Sequence, residues 1–575
     1  MTGEMFINGY DVYQEFGVTP LRGTFDEVMK PVSNKSPITA ELENEHGETI
    51  FFPNDAALIQ ARDFAIPLAI VAVNGNDFLD KKARFETLLR TGSFLIFFPQ
   101  VNLSLTCYLK EVTQYSQLEP IKINATRRVS AIINLQLREP NPADRTLTKE
   151  AHAYGVLIDS EQANPDLTRI GNLDMAKAAS ANELAVQGTL NGFGYLKRFQ
   201  KANGLYYADG SASVVDGSAG NVVTHMPPFY FLVETVTETT TKLWVSPYPV
   251  PGFAKHTGFT LGCFKASVNN AAVFGKPVNS LWSVANSTTT FRGGNNDATN
   301  DALEKGFLGK PRTVLSRTSF RAYSQNQGVD YGLIDYDTHL ALFMLFITKY
   351  ATFHCQKAIS PKMNGYYAGG LGAGLTTVVA ADWNTYNTYY PIVKCGLTLG
   401  LGLTDGEVSK LITGFGASGD ITVKQNSFLG IEGVFGDIFE WVQGINFIKQ
   451  TVEQGGKNIA YVYPTNVYED VVSNKYIRQF EFATAASNYI RNMVLGSYFD
   501  TMPKVVGNGA SSSTFVPDYY YNDQITGNRV LARSGNAADG SYAGLAYANT
   551  ACTAANTFAF YGSRLGYYGR VRPGL

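Results

Sequence analysis

Six carboxylates in the second half of the chain, Asp330, Asp335, Asp337, Glu432, Asp437 and Glu440, are of the type that pair as general acid and general base in glycoside hydrolysis. None stands in a spacing that specifies such a pair. Glu440 beside Trp441 reads as structural, its carboxylate accepting backbone donors in a tight loop. The five cysteines, Cys107, Cys263, Cys355, Cys395 and Cys552, are far apart, odd in number and without a CxxC spacing. They read as small buried hydrophobes, not as a zinc, redox or disulfide framework. The six histidines are scattered, and no two stand at i, i+4, the spacing that turns two imidazoles toward one metal. GGLGAG at 369–374 looks like a phosphate-loop fragment, but no Lys-Ser or Lys-Thr follows it, so it reads as a loop. The expectation is a protein that is not an enzyme, with no catalytic residue, no metal and no cofactor.

What remains is chemistry by contact. Tyr covers a large flat area at small rotamer cost and offers a hydroxyl, while Asn, Ser and Gly adapt around it. Tyr519, Tyr520, Tyr521 and Asn522 stand in a row, and three consecutive tyrosines on a strand must point to both faces. Together with Asn536, Tyr542, Tyr547, Asn549 and Asn556 they form a candidate receptor-binding surface. The competing reading is that half of them are core or hydrogen-bonded loop residues. The closing stretch YAGLAYANTACTAANTFAFYGSRLGYYGRV, 542–571, divides near Asn556. Ahead of that point lies an adaptable face. Behind it, Phe558 and Phe560 alternate as in a half-buried strand, and Gly562-Ser563-Arg564 reads as a core strand.

The elements that must position these residues belong to a large, strand-rich chain. At 575 residues it exceeds what one hydrophobic core serves, and 45% hydrophobic residues exclude disorder. Only 17% are charged and the net charge is -2, which excludes a basic nucleic-acid footprint. High counts of Tyr, Phe and Gly point to many strands and turns: mainly β with some α, multidomain. Residues 1–140 read as strands around one helix. PITAELENEHGETIFF is two strands about Gly47, DFAIPLAIVAV is a buried strand, and NDFLDKKARFETLLRTG is a helix with Phe78, Leu79, Phe85, Leu88 and Leu89 at helical spacing. EPNPADR begins a linker at 141–150. Residues 151–304 are a β-rich middle region, and 305–575 a module with a clear helix near 335–350. The longest apolar runs, FAIPLAIVAV and LALFMLFIT, fall short of the ~20 residues that span a bilayer. The N-terminus lacks the pattern of a signal peptide, so a soluble protein without membrane insertion is expected.

Two resemblances add to this. FINGYDVYQEFGV, ARDFAIPLAIVAV, FLDKKARFETLLRTGSFLIFFP and the paired strands LTCYLKEVTQY and VSAIINLQLREP follow the order of the N-terminal domain of phage distal tail proteins, which 1–140 resembles. The resemblance implies a β-rich belt with one helix. It also implies a homohexameric ring where the tail meets its tip, with the tail tube and tail-tip hub as partners. GIEGVFGDIFEWVQGINF at 430–447 is similar to the Gly-Asn-Val-Trp-Glu-Trp element of C-type-lectin-fold modules, an element also found in formylglycine-generating enzymes and phage major tropism determinants. Asp437 replaces the usual Asn and Phe439 the first Trp, while Glu440 and Trp441 stand. Ser534-Gly535-Asn536 and Gly562-Ser563-Arg564 occupy the places of the family's closing turn and strand, which makes Glu440, Trp441, Gly562 and Arg564 structural. The formylglycine-generating branch needs a cysteine pair where this chain has only Cys552. A calcium-dependent sugar site needs Glu-Pro-Asn and Trp-Asn-Asp, but Glu139-Pro140-Asn141 lies at the linker and Trp-Asn-Asp is absent. Some members of the fold are targets of diversity-generating retroelements, with Tyr- and Asn-rich C-terminal loops like the one here.

The reading that follows is a phage tail-tip or baseplate protein of the virion, assembled in the host cytoplasm. The 1–140 domain joins a ring. The 305–575 module presents a variable-type surface to a bacterial surface glycan or outer-membrane protein. The alternatives are a purely structural tail-tip hub without receptor binding and a glycan depolymerase.

Overall fold

The computed structural model describes residues 3–36, 38–41, 48–51, 58–122, 127–143, 145, 147–293, 305–359, 380–415, 417, 419–465 and 467–573. The turn expected at Gly47 and the GGLGAG run at 369–374 lie outside these residues. The protein is mainly β with some α and divides into two compact units, Met1–Thr148 and Lys149–Gly574.

The first unit is built on an antiparallel seven-stranded sheet. Its order is Tyr10–Asp11, Phe6–Ile7, Ser93–Phe98, Leu103–Gln117, Val129–Glu139, Arg62–Ala72, Val18–Pro20. Arg62–Ala72 buries Phe64, Ile66, Leu68, Ile70 and Ala72 on one face, while the residues between them are only half-buried. The strand expected to be buried throughout is thus one-faced, the alternation a sheet shows when a single face is covered. The helix Gly75–Leu89 covers that face with Phe78, Phe85 and Leu89. It begins where the Asn74 side chain accepts the Asp77 N–H at 2.9 Å. Leu79, assigned to the apolar face from its spacing, is exposed.

One strand outruns its neighbour. Pairing between Ser93–Phe98 and Leu103–Gln117 ends at Ser93 opposite Tyr108. From Leu109 onward the strand has, among the described residues, a strand partner only in Val129–Glu139, with irregularities at Leu109/Glu111 and Val112/Gln114. Val112, Tyr115 and Leu118 stand exposed along this stretch.

In the second unit no break occurs at the boundary expected between 304 and 305. The sheet containing Val186–Leu190, Asn221–Met226 and Phe259–Lys265 continues into Arg564–Tyr567 and Tyr331–Leu333. Arg572–Pro573 adds in parallel to Tyr195–Gln200. The physical reason is that the C-terminal strand Arg564–Tyr567 is an inner member of this sheet, seated between Phe259–Lys265 and Tyr331–Leu333, so neither half has a closed core alone. A second large sheet runs Arg478–Phe482, Asn458–Val462, Phe439–Lys449, Gly527–Arg533, Ala548–Asn549, Val516–Tyr521, Asn488–Leu495, Asp500–Val506. The helix Tyr336–Tyr350 is capped by Asp335, whose Oδ1 accepts the Thr338 N–H at 2.8 Å. Leu340, Phe343, Met344 and Ile347 are buried as expected, but so are Ala341, Leu342, Leu345 and Phe346. A helix apolar on every side is an interior helix, not one packed by a single stripe.

Candidate functional site

Arg564, 1% exposed, donates from Nε and Nη2 to Glu440 Oε1 at 3.1 and 2.6 Å. It also donates to the carbonyls of Gly262, Cys263, Glu432 and Gly433. The Glu440 carboxylate therefore meets a guanidinium, and among the described residues no backbone N–H of the kind expected of it. The carboxylate that does hold backbone N–H groups is Glu432, which accepts from Gly396 at 2.9 Å and Thr398 at 2.7 Å. Burial raises the Glu432 and Asp437 carboxyls and lowers the Lys265 ammonium, which donates to the carbonyls of Gly436 and Ile438. Trp441 is fully buried and its Nε1 donates to the Leu315 carbonyl at 3.2 Å. Here charge satisfies interior carbonyls that the irregular backbone leaves unpaired.

Asp335 and Asp337 have a different setting. Burial, with the Asp337 charge second, pushes the Asp335 carboxyl up to about 6, but it is buried and occupied in capping the helix. Burial also acts to raise Asp337. The hydrogen bond and charge of His256 and the charge of Arg478 outweigh it and hold that carboxyl below its usual range. His256 Nε2 lies 3.1 Å from Asp337 Oδ2, while its Nδ1 accepts the Gly258 N–H. The Asp330 backbone carbonyl accepts the Tyr568 N–H.

The tyrosine row behaves as strand alternation requires. On Val516–Tyr521, Tyr520 is fully buried with its hydroxyl donating to the Ala483 carbonyl at 2.8 Å. Tyr519 is half-buried and Tyr521 exposed, both on the opposite side to Tyr520. Tyr519 stacks on Tyr542, ring centroids 4.2 Å apart and 26° between planes. Tyr489 closes the group edge-on, 5.5 Å from Tyr519 and 5.2 Å from Tyr542, with its hydroxyl 2.9 Å from Ser541 Oγ. Tyr547 backs the patch from inside, 6.2 Å from Tyr519 and 5.2 Å from Phe439. Asp539 lies beside it, accepting the Asn536 N–H at 2.6 Å, and burial pushes its carboxyl up to about 7. Asn536 is half-buried and caps this turn, its Oδ1 accepting the Ala538 N–H.

The other candidates are not contact residues. Tyr520, Tyr547, Asn522 and Asn549 are each at most 5% exposed. Asn522 accepts Lys449 Nζ at 2.6 Å and donates to Ala485, tying two loops together. Asn549 donates to the Tyr561 hydroxyl at 2.7 Å. An amide with that many partners inside the protein belongs to the interior, whatever its sequence neighbours suggest. Asn556, half-buried, accepts from the N–H and hydroxyl of Thr553 in a separate turn. Phe558 and Phe560 do not alternate on a strand. They lie in the connection before Tyr561–Gly562 and stack on each other at 5.4 Å.

Sequence reasoning missed Tyr489, Ser541 and Asp539. Tyr489 sits thirty residues from Tyr519, and only the pairing of Asn488–Leu495 with Val516–Tyr521, Tyr489 opposite Tyr519, brings it into the patch. Cys107, Cys263, Cys355 and Cys552 are buried free thiols, and Cys395 is half-buried. Among the described residues no three His, Cys, Asp or Glu side chains gather as a set of metal ligands, and no helix is long and apolar enough to cross a membrane.

No protein-family model matches the chain, and no curated protein matches it. Among solved structures, the alignments include the Dit protein of phage SPP1, described as a paradigm of the hub adsorption apparatus in phages that infect Gram-positive bacteria. The identity is 11%, over 45% of this chain and 77% of that one, with a TM-score of 0.16. A TM-score that low does not establish a shared fold.

Proposed function

We propose that this chain is a structural protein of a phage tail tip that also holds the host surface through an aromatic patch, with adhesion and not catalysis as its work. The observation that carries the adhesive part is the stacked group Tyr489, Tyr519 and Tyr542, which keeps aromatic surface at the solvent boundary beside exposed Tyr521. Rigid tyrosines with few rotatable bonds are what a contact surface uses to gain area at low entropic cost. The tail-tip part is supported by the sequence resemblance of 1–140 to distal tail proteins and by the free-edged strand with exposed Val112, Tyr115 and Leu118. A long strand edge without a neighbour is a liability on a monomer and is removed when copies close into a ring. A ring would also multiply a weak single-site affinity. The tyrosine patch fits a surface glycan or outer-membrane protein as receptor. The resemblance of 305–575 to lectin-fold modules diversified by retroelements would place variation in the same loops.

The test is binding of the fluorescently labelled full chain to the bacteria that its phage infects. Strong retention that falls in the Tyr542→Ala variant supports the reading. Wild-type protein that does not bind, yet is found in purified virions, would leave a purely structural tail-tip role. For the ring, mass in solution should exceed one chain, and Val112→Glu should lower it and, through lost avidity, weaken cell binding although the tyrosine patch is untouched.

A further inference from the structure

A second concave site lies away from the tyrosine patch, in the same unit. It is a cleft of about 150 Å³ between the 159–168 loop, the strand Asn488–Leu495 and Phe515, which precedes the strand Val516–Tyr521. Its wall is apolar: Phe353, Met493, Leu495 and Phe515 line it and are buried. Its rim is amide. Asn164 Oδ1 accepts the Asp166 N–H and Asn492 Oδ1 accepts the Met493 N–H, and among the described residues neither NH2 group has a protein acceptor. The Gln162 side chain has no protein partner among the described residues, so the mouth carries three amides with unused hydrogen-bonding capacity over an apolar wall.

Two further facts fix the chemistry of an occupant. Phe515 and Leu495 are bulky residues held at φ +58° and +57°, where side chains are strained. The Phe515 N–H is tied to the Ala163 carbonyl at 2.7 Å, which locks the strained residue to the opposite lip of the cleft. Arg491 lies over the Phe515 ring at 4.5 Å, but its guanidinium is already taken by the Asn508 carbonyl and by Glu161. Asp159 and Asp166 line the cleft, and Lys357 neutralises Asp166 at 2.6 Å. With Glu161 the acids outnumber the bases among the described residues, and both bases, Arg491 and Lys357, are paired, so an anion is repelled. The volume is below the ~300 Å³ at which drug-sized pockets begin, and matches one small ring.

We propose that this cleft binds a single neutral hexopyranose ring, its C–H face on the Phe515 and Met493 wall and its hydroxyls on Gln162, Asn164 and Asn492. This does not depend on the adhesive role of the tyrosine patch. The test is saturation-transfer NMR on the full chain with methyl glycosides of glucose, galactose, mannose and N-acetylglucosamine, and with methyl glucuronoside as the anionic control. At least one neutral glycoside should receive transfer and glucuronoside should not. Affinity should fall by about fivefold in Asn492→Ala and in Gln162→Ala, the scale of one lost hydrogen bond, with melting unchanged in Gln162→Ala. Transfer should persist in Tyr542→Ala, which separates this site from the patch. No transfer to any neutral glycoside, full transfer in both amide variants, or preference for glucuronoside would each overturn the proposal.

Discussion

Arg564 and Tyr542 come from one closing segment and show two opposite fates for a side chain with binding capacity. Arg564 is sealed in the interior, and its donors are used up on Glu440 and four backbone carbonyls. Tyr542 is 38% exposed and touches mainly other tyrosine rings. The difference teaches where to look for function in a unit of irregular strands and long loops. Such a unit leaves many interior carbonyls outside any ladder, and the cheapest complete partner for several at once is a buried guanidinium. Arg317 repeats the device, donating to the carbonyls of Val442, Ile445 and Glu469 and to Asn446 and Asp470. The charged residues that look most chemical are thus committed to the fold. The aromatics that look like core are the ones left at the boundary.

The comparison breaks most directly at Arg564. Arg564→Ala strands a buried carboxylate and several carbonyls, and loss of one partner of a buried pair costs about 3–5 kcal/mol. The expected outcome is loss of the cooperative unfolding transition of the 149–574 unit by calorimetry. Glu440→Gln, which keeps an acceptor, should cost less. An Arg564→Ala protein that melts like wild type would mean the interior charges are not structural. Next in size is the patch itself. Tyr519→Ala and Tyr542→Ala should each weaken host-cell binding by about 2 kcal/mol, the scale of a contact hot spot, with a much smaller change in melting. Were the two to lose stability and not binding, the patch would be core and the contrast with Arg564 would vanish. Tyr520→Phe sharpens the line between adjacent residues. It removes the hydroxyl that donates to Ala483 and should cost about 1 kcal/mol of stability, leaving cell binding intact.

How much of this could be read from the sequence depended on range. The one-faced alternation of Arg62–Ala72 was not legible, because Ala65, Pro67, Ala69 and Val71 on its other face are apolar too, whereas the helix Gly75–Leu89 was legible because its signals are local, apolar residues at helical spacing. The tyrosine row gave the right side-to-side alternation for the same reason. The boundary near 304 was not legible, because the pairing of Arg564–Tyr567 with Phe259–Lys265 spans three hundred residues and leaves no mark on composition. Four of the nine contact candidates are interior for more than one reason. Tyr520 is turned inward by the strand alternation itself, Asn522 is covered by Lys449 from 73 residues earlier, and Asn549 bonds Tyr561 within the same closing segment. Tyr489 was missed because its partners arrive from another strand.

The smallest expected effect concerns Asp539, which belongs to neither side of the contrast. It sits beside exposed rings, yet burial pushes its carboxyl up to about 7. In the unfolded chain the same group titrates near 3.9. Between those values the folded state holds a proton that the unfolded state has released. The group therefore contributes a loss of stability that grows as pH rises from about 4 to about 7 and is complete above that. Asp539→Asn keeps an oxygen for the Asn536 N–H and removes the charge. The variant should match wild type near pH 4 and exceed it near pH 8 by about 1 kcal/mol, after allowance for the water that reaches this turn. Taking the difference between the two proteins cancels the other buried acids, such as Asp518, whose carboxyl burial also raises to about 7. A difference that stays flat across this range would mean that water reaches the carboxylate freely. The floor of the patch would then be as open as its rim, and the rings above it would stand out from the fold as a ridge, not lie against it as a lid.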